Sequence, residues 1–139
     1  MRKLLIITAL LLFAGISFGQ TLKSGSIIAV HNYEIILRPD VTLNQFLDFM
    51  EKTYKPEFEK AFPGATLFGL IGDRGVMKYK YAGVIVFDSM ETRDKYFPVA
   101  DEDMSGWTEE QQKTFQKLNE EIGKLVLDLS TTYTDWKIL

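Results

Sequence analysis

Apolar residues fall along this chain in two rhythms, one suited to strands and one to helices. Ser26 to Leu37 (SIIAVHNYEIIL) is β-branched and aromatic, and long enough for one strand. Arg38-Pro39-Asp40 ends it, because proline has no amide proton to give to a ladder. A helical rhythm follows Thr42, where Leu43, Phe46, Leu47, Met50 and Tyr54 recur at three- and four-residue intervals. Thr42 and Gln45 have the spacing of a capping box, in which each side chain satisfies the other's backbone donor. Pro56 predicts a kink or a fresh helical segment, with Phe58 and Phe62 continuing the apolar side.

Pro63-Gly64 closes that unit, and Ala65 to Ile71 reads as a second strand. Gly72-Asp73-Arg74-Gly75 is turn chemistry, so Met77 to Phe87 returns as a third strand in a hairpin. Ser89 caps a short helix through Tyr96, closed by Pro98. Thr108 and Gln111 repeat the capping-box spacing, and Phe115, Leu118, Ile122, Leu125 and Leu129 form an apolar stripe on the longest helix. Thr131 to Leu139 closes the chain as a strand. The order is β-α-β-β-α-β with an extra helical piece in the second crossover. It predicts an α+β, ferredoxin-like domain whose two helix layers cover one face of a four-stranded antiparallel sheet.

Composition narrows what such a domain does. The 139 residues are 25% charged and 46% hydrophobic, with no cysteine and one histidine. Disulfides, thiolate zinc sites and a cysteine nucleophile are excluded, as is any site needing two imidazoles from one chain. A net charge of −3 argues against nucleic acid as a partner, which needs a concentrated basic face. Residues 1–19 have the pattern of a secretory signal peptide: Arg2 and Lys3, the apolar stretch Leu4 to Phe13, then Ser17 and Gly19 before a cut at Gln20. Leu4 to Phe18 falls short of the ~20 residues of a spanning helix. The expected product is a single domain of residues 20–139, exported to a periplasm or beyond the cell and not held in a membrane.

The strands are apolar on both faces. Ala82 to Phe87 does not alternate, and neither do Ile27 to Val30 or Ile35 to Leu37. With helices on one side, the other face needs a cover. A second copy of the chain supplies it in a homodimer; alternatively, the C-terminal half of the long helical segment folds over it. The Arg-Pro-terminated first strand, the Phe-rich helix, Pro63-Gly64 before the second strand and Phe87-Asp88-Ser89-Met90-Glu91 opening the next helix resemble the dimeric α+β barrel superfamily. That group includes the antibiotic-biosynthesis monooxygenase-like, EthD-like and NIPSNAP-like domains, and the resemblance spans nearly all of residues 26–139. It implies two sheets closing into a barrel across a homodimer, with a pocket between sheet and helices. It spans cofactor-independent oxygenases, haem-degrading enzymes, isomerases and domains without known activity, so function must come from the site. Haem-degrading members carry a histidine on the helix after the third strand; residues 90–97 have none, although Asn32 resembles their strand-one asparagine.

Strand parity sorts the candidate residues. His31, Tyr33, Ile35 and Leu37 share one face of the first strand, and Tyr79, Tyr81, Ile85 and Phe87 share one face of the third. These strands are neighbours in the expected order, which gathers His31, Tyr33, Tyr79 and Tyr81 as the lining of a pocket for a small apolar or aromatic molecule. The plainer reading is a tyrosine-rich core with a hydrogen-bonded structural histidine. As a site, His31 offers a general base or a haem ligand. Glu34 is expected to face Lys78 or Lys80 across the pair. Asp101, Asp103 and Ser105, with Gly106, have the spacing that opens a calcium loop, but position twelve is Gln112, Pro98 breaks the entering helix, and Thr108 with Glu109 and Glu110 is explained equally well as a cap with acids at the positive helix end. No metal site and no cofactor is expected, and no catalytic residue is assigned.

Overall fold

The computed structural model describes residues 22–98 and 106–139. The expected signal peptide and the candidate calcium ligands Asp101, Asp103 and Ser105 lie outside the described residues. Four strands, β1 (Ile27–Leu37), β2 (Ala65–Ile71), β3 (Tyr81–Phe87) and β4 (Val126–Lys137), form one antiparallel sheet in the order β2-β3-β1-β4. Between β1 and β2 run α1 (Leu43–Phe49), a π-helical turn (Met50–Tyr54) and α2 (Lys55–Ala61); between β3 and β4 run α3 (Met90–Tyr96) and α4 (Glu109–Gly123). This is the split βαβ order of a ferredoxin-like α+β fold. Both expected capping boxes are made, Thr42 with Gln45 and Thr108 with Gln111.

The core lies on one side of the sheet. Ile27 and Ala29 are buried with Phe58, Phe62 and Trp107, while Tyr33 and Ile35 pack against Phe46, Met50, Tyr81 and Ile122. Ile28, Val30 and Ile36, of opposite parity, join neither cluster. The other face carries Phe68, Leu70, Ile36 and Trp136, exposed by 44% to 59%. No described helix covers it, which corrects the idea that the long helical segment folds over it.

Three boundaries differ from the sequence reading, each for a local reason. The apolar stripe predicts helix through Leu129, yet α4 stops at Gly123. There Arg38 donates from Nε and Nη2 to the Gly123 carbonyl, at 3.1 and 2.8 Å, and its backbone N–H bonds to Leu125. The helix end is satisfied from a residue distant in sequence, and β4 starts well before Thr131. The third strand begins at Tyr81 rather than Met77, because residues 72–80 curl into a turn: Tyr79 N–H bonds to the Gly72 carbonyl at 2.7 Å, and Tyr79 has φ of +65°. Pro56 breaks the helix by widening it upstream. It has no N–H for the Lys52 carbonyl, and the Lys55 N–H reaches Met50 instead, five residues back.

The sheet edges are unlike each other. On β2, Leu67 turns its backbone outward, where Glu59 Oε1 accepts from its N–H at 2.9 Å and Lys55 Nζ donates to its carbonyl. Lys55 and Glu59 also pair at 2.9 Å, one helical turn apart. The β2 edge is therefore clamped by side chains of α2, whereas β4 is mostly exposed along its length.

Candidate functional site

A cavity of about 290 Å³ lies between the inner face of the sheet and the helices. The sheet supplies His31, Tyr33, Tyr81, Ile85, Leu129 and Thr131, and α4 adds Phe115, Asn119 and Ile122. Phe46, Met50, Tyr54 and Phe58 enter from the first helical run, four residues apart. In a regular α-helix each such step turns about 40° past a full circle, which would swing Phe58 well away from Phe46. The wider π turn takes up part of that rotation and keeps all four directed at the cavity.

Two facing glycines make room for the tyrosines. Gly69 and Gly83 are register partners on β2 and β3, and Gly83 also faces His31 on β1. A Cβ on Gly83 would lie 3.2 Å from Tyr33 Cε2, so the Tyr33 ring rests on bare backbone. A Cβ on Gly69 would lie 3.1 Å from Tyr81 Oη and 2.5 Å from Glu51 Oε1. The rings then run across the sheet as a ladder. Tyr81 and Tyr33 stack at 5.7 Å, Tyr33 and His31 at 6.2 Å, and His31 and Tyr133 at 5.3 Å between centroids. The ladder passes from buried Tyr81 to exposed Tyr133.

Burial sets the electrostatics. It pushes the Tyr33, Tyr54 and Tyr81 phenols up; Tyr54 is raised further by Tyr33 and Tyr81, and Tyr81 by Tyr33 and Glu51. All three hydroxyls remain protonated and can donate. Burial lowers His31 below its ordinary 6.5, against an opposing pull from Asp135. Its imidazole is neutral at pH 7, offering one donor and one acceptor, and its nitrogens have no hydrogen-bond partner among the described residues. Asp135 is in turn held by Arg93, which also bonds Asp94 at 2.6 Å.

His31, Tyr33 and Tyr81 therefore meet at one cavity. Tyr79 does not: it is 73% exposed, under the Lys78 ammonium, and its positive φ breaks the alternation that parity assumed. Glu34 makes no ion pair with Lys78 or Lys80 among the described residues, since both lysines lie in the turn. The sequence pattern marks Phe46, Met50, Tyr54 and Phe58 only as the apolar side of a helix and does not single out Asn119, yet all five line the cavity. Their available signal is the four-residue spacing of Phe46 to Phe58, and the polar Asn119 four residues after Phe115 beside the apolar stripe. Among the described residues, no three of His, Asp or Glu gather into a metal-holding group.

No family of known proteins matches the chain by sequence, and no curated protein does. Among solved structures it is similar to an uncharacterized NIPSNAP-like domain protein from Burkholderia xenovorans, with TM-score 0.44 and 14% identity over 80% of this chain and 84% of that one. It is also similar to a dimeric protein of unknown function and ferredoxin-like fold from Bacteroides fragilis, with TM-score 0.43 and 13% identity over 84% and 100%. An ethyl tert-butyl ether d (EthD) family protein from Bacillus halodurans gives TM-score 0.43 and 16% identity over 78% and 96%. These are likenesses of chain path at low identity; the strand order described above defines the fold.

Proposed function

We propose that this protein is an exported, homodimeric domain that binds a small apolar or aromatic molecule in the cavity beneath its tyrosines. The observation that carries this reading is the cavity itself: walls mostly of aromatic and aliphatic side chains, with three phenols and one imidazole, unpartnered among the described residues, as polar tips. Its volume is at the low end for ligand sites, which suits a small molecule. The test uses N-phenyl-1-naphthylamine, a neutral dye that brightens in apolar surroundings. Its fluorescence should rise with the wild-type protein and fall back to the free-dye level in Ile85→Trp, which fills the cavity. Thr131→Trp, at the cavity edge, serves as the second filled variant should Ile85→Trp fail to fold. No rise with wild type, or an equal rise in a filled variant, would sink the reading.

The homodimer is supported by the uncovered face. Three successive rungs across it carry no charged residue: Thr66-Val86-Ile28-Trp136, Phe68-Val84-Val30-Thr134 and Leu70-Ala82-Asn32-Thr132. Such charge-poor surface is what the centre of a protein interface uses. Export rests on the pattern of residues 1–19, and N-terminal sequencing of the mature product should begin at Gln20.

A second reading is a cofactor-independent monooxygenase or isomerase. It is favoured by His31, a neutral imidazole at the cavity wall whose unprotonated nitrogen can accept a proton. Substrate consumption lost in His31→Ala, with dye binding retained, would support it; consumption unchanged would exclude it.

A further inference from the structure

The cavity has a charge signature as well as a shape. Seven of its lining residues are tyrosine or phenylalanine, and none is lysine or arginine. Two basic side chains on the helices that flank it are committed elsewhere. Lys55 is held by Glu59, the Leu67 carbonyl and the Phe68 ring, and Arg93 by Asp94 and Asp135. Two carboxylates act on the cavity from its margins. Asp135 pulls on His31, and Glu51 Oε1 lies beside Gly69, as the Tyr81 hydroxyl does, and acts on Tyr81 by its charge. Glu51 is exposed and has no ion-pair partner among the described residues.

Aromatic faces carry negative potential and attract organic cations, most strongly where water is excluded. A quaternary ammonium group needs no hydrogen-bond acceptor, so three protonated phenols do not disfavour it. We propose that the cavity takes a small organic cation, its ammonium group enclosed by Tyr33, Tyr54 and Tyr81 with Glu51 as counter-charge. This rests on the cavity being a ligand site and names the class of ligand. Burial is the main reason that Tyr81 stays protonated; the Glu51 carboxylate adds to it, and that negative charge is what favours a cation beside the ring. Anionic molecules of the same shape meet no compensating charge and are rejected.

The test compares two molecules of nearly equal shape, phenyltrimethylammonium and tert-butylbenzene, as competitors for bound N-phenyl-1-naphthylamine. The cation should displace the dye at a concentration about fivefold lower than its neutral counterpart. In Glu51→Gln that advantage should fall below about twofold, with displacement by tert-butylbenzene unchanged. Equal or reversed potency in wild type overturns the cation preference while leaving a ligand cavity. A full advantage retained in Glu51→Gln overturns the assignment of Glu51. A dye that never enters the wild-type cavity overturns both the cation preference and the ligand site.

Discussion

Gly83 and Tyr33 form one packing unit, in which a missing side chain on β3 accommodates a ring from β1. Gly83→Ala places a methyl 3.2 Å from Tyr33 Cε2 and forces the ring toward the cavity. We expect a loss of about 1–3 kcal/mol in urea unfolding, with part of it recovered when Tyr33→Leu is added. A full loss in the double variant would place the strain elsewhere. His31 gives a prediction of opposite character, read in pH. Its native pKa lies below the unfolded value of 6.5, so the unfolded chain takes up the proton first. Its contribution is complete above pH 6.5 and is lost as pH falls from there through the native pKa. In His31→Phe, stability should decline less between pH 7.5 and 5 than in wild type; parallel declines would refute the assignment. His31, Tyr33 and Tyr81 were legible in the sequence because strand parity and the adjacency of β1 and β3 both follow from local pattern. Tyr79 was not, since a left-handed backbone at a tyrosine leaves no trace in hydrophobic alternation.

Elements were legible where their signals are local. Ala65 to Ile71, the Ser89 cap and both capping boxes need only neighbouring residues, and each was placed correctly. The end of α4 depends on Arg38, far away in the chain, and Leu125 and Leu129 fit a helical interval as well as a strand. The π turn was visible only as a proline that had to disturb a helix somewhere. The clamp on β2 was likewise hidden, because Lys55 and Glu59 look like an ordinary helical ion pair until Leu67 is set beside them. Glu59→Leu leaves the Leu67 N–H without its acceptor and the half-buried Lys55 without its counter-charge. It should cost about 1–3 kcal/mol, and Glu59→Gln, which keeps an acceptor oxygen, clearly less. Chemical denaturation of the two variants checks this; equal losses would mean that charge rather than the backbone contact matters.

For the whole molecule, the decisive asymmetry is a sheet packed on one face and bare on the other. Hydrophobic residues on a water-facing sheet are costly to leave exposed in such a contiguous patch. Under the proposed assembly, Phe68→Lys together with Trp136→Glu should yield a folded single-copy species in analytical ultracentrifugation, while the unmodified domain sediments as two copies at micromolar concentration. Thermal unfolding of the wild-type domain should then rise with protein concentration, and that of the double variant should not. A wild-type domain that stays single at high concentration would remove the homodimer from the account.

The two unlike sheet edges bear on how far strand-to-strand growth could proceed. With Leu67 already occupied by Glu59 and Lys55, the middle of the β2 edge is less open to an added strand than the exposed β4 edge. Strand-to-strand joining between molecules is therefore favoured at β4, and a helix two turns long helps to guard the opposite side of the sheet.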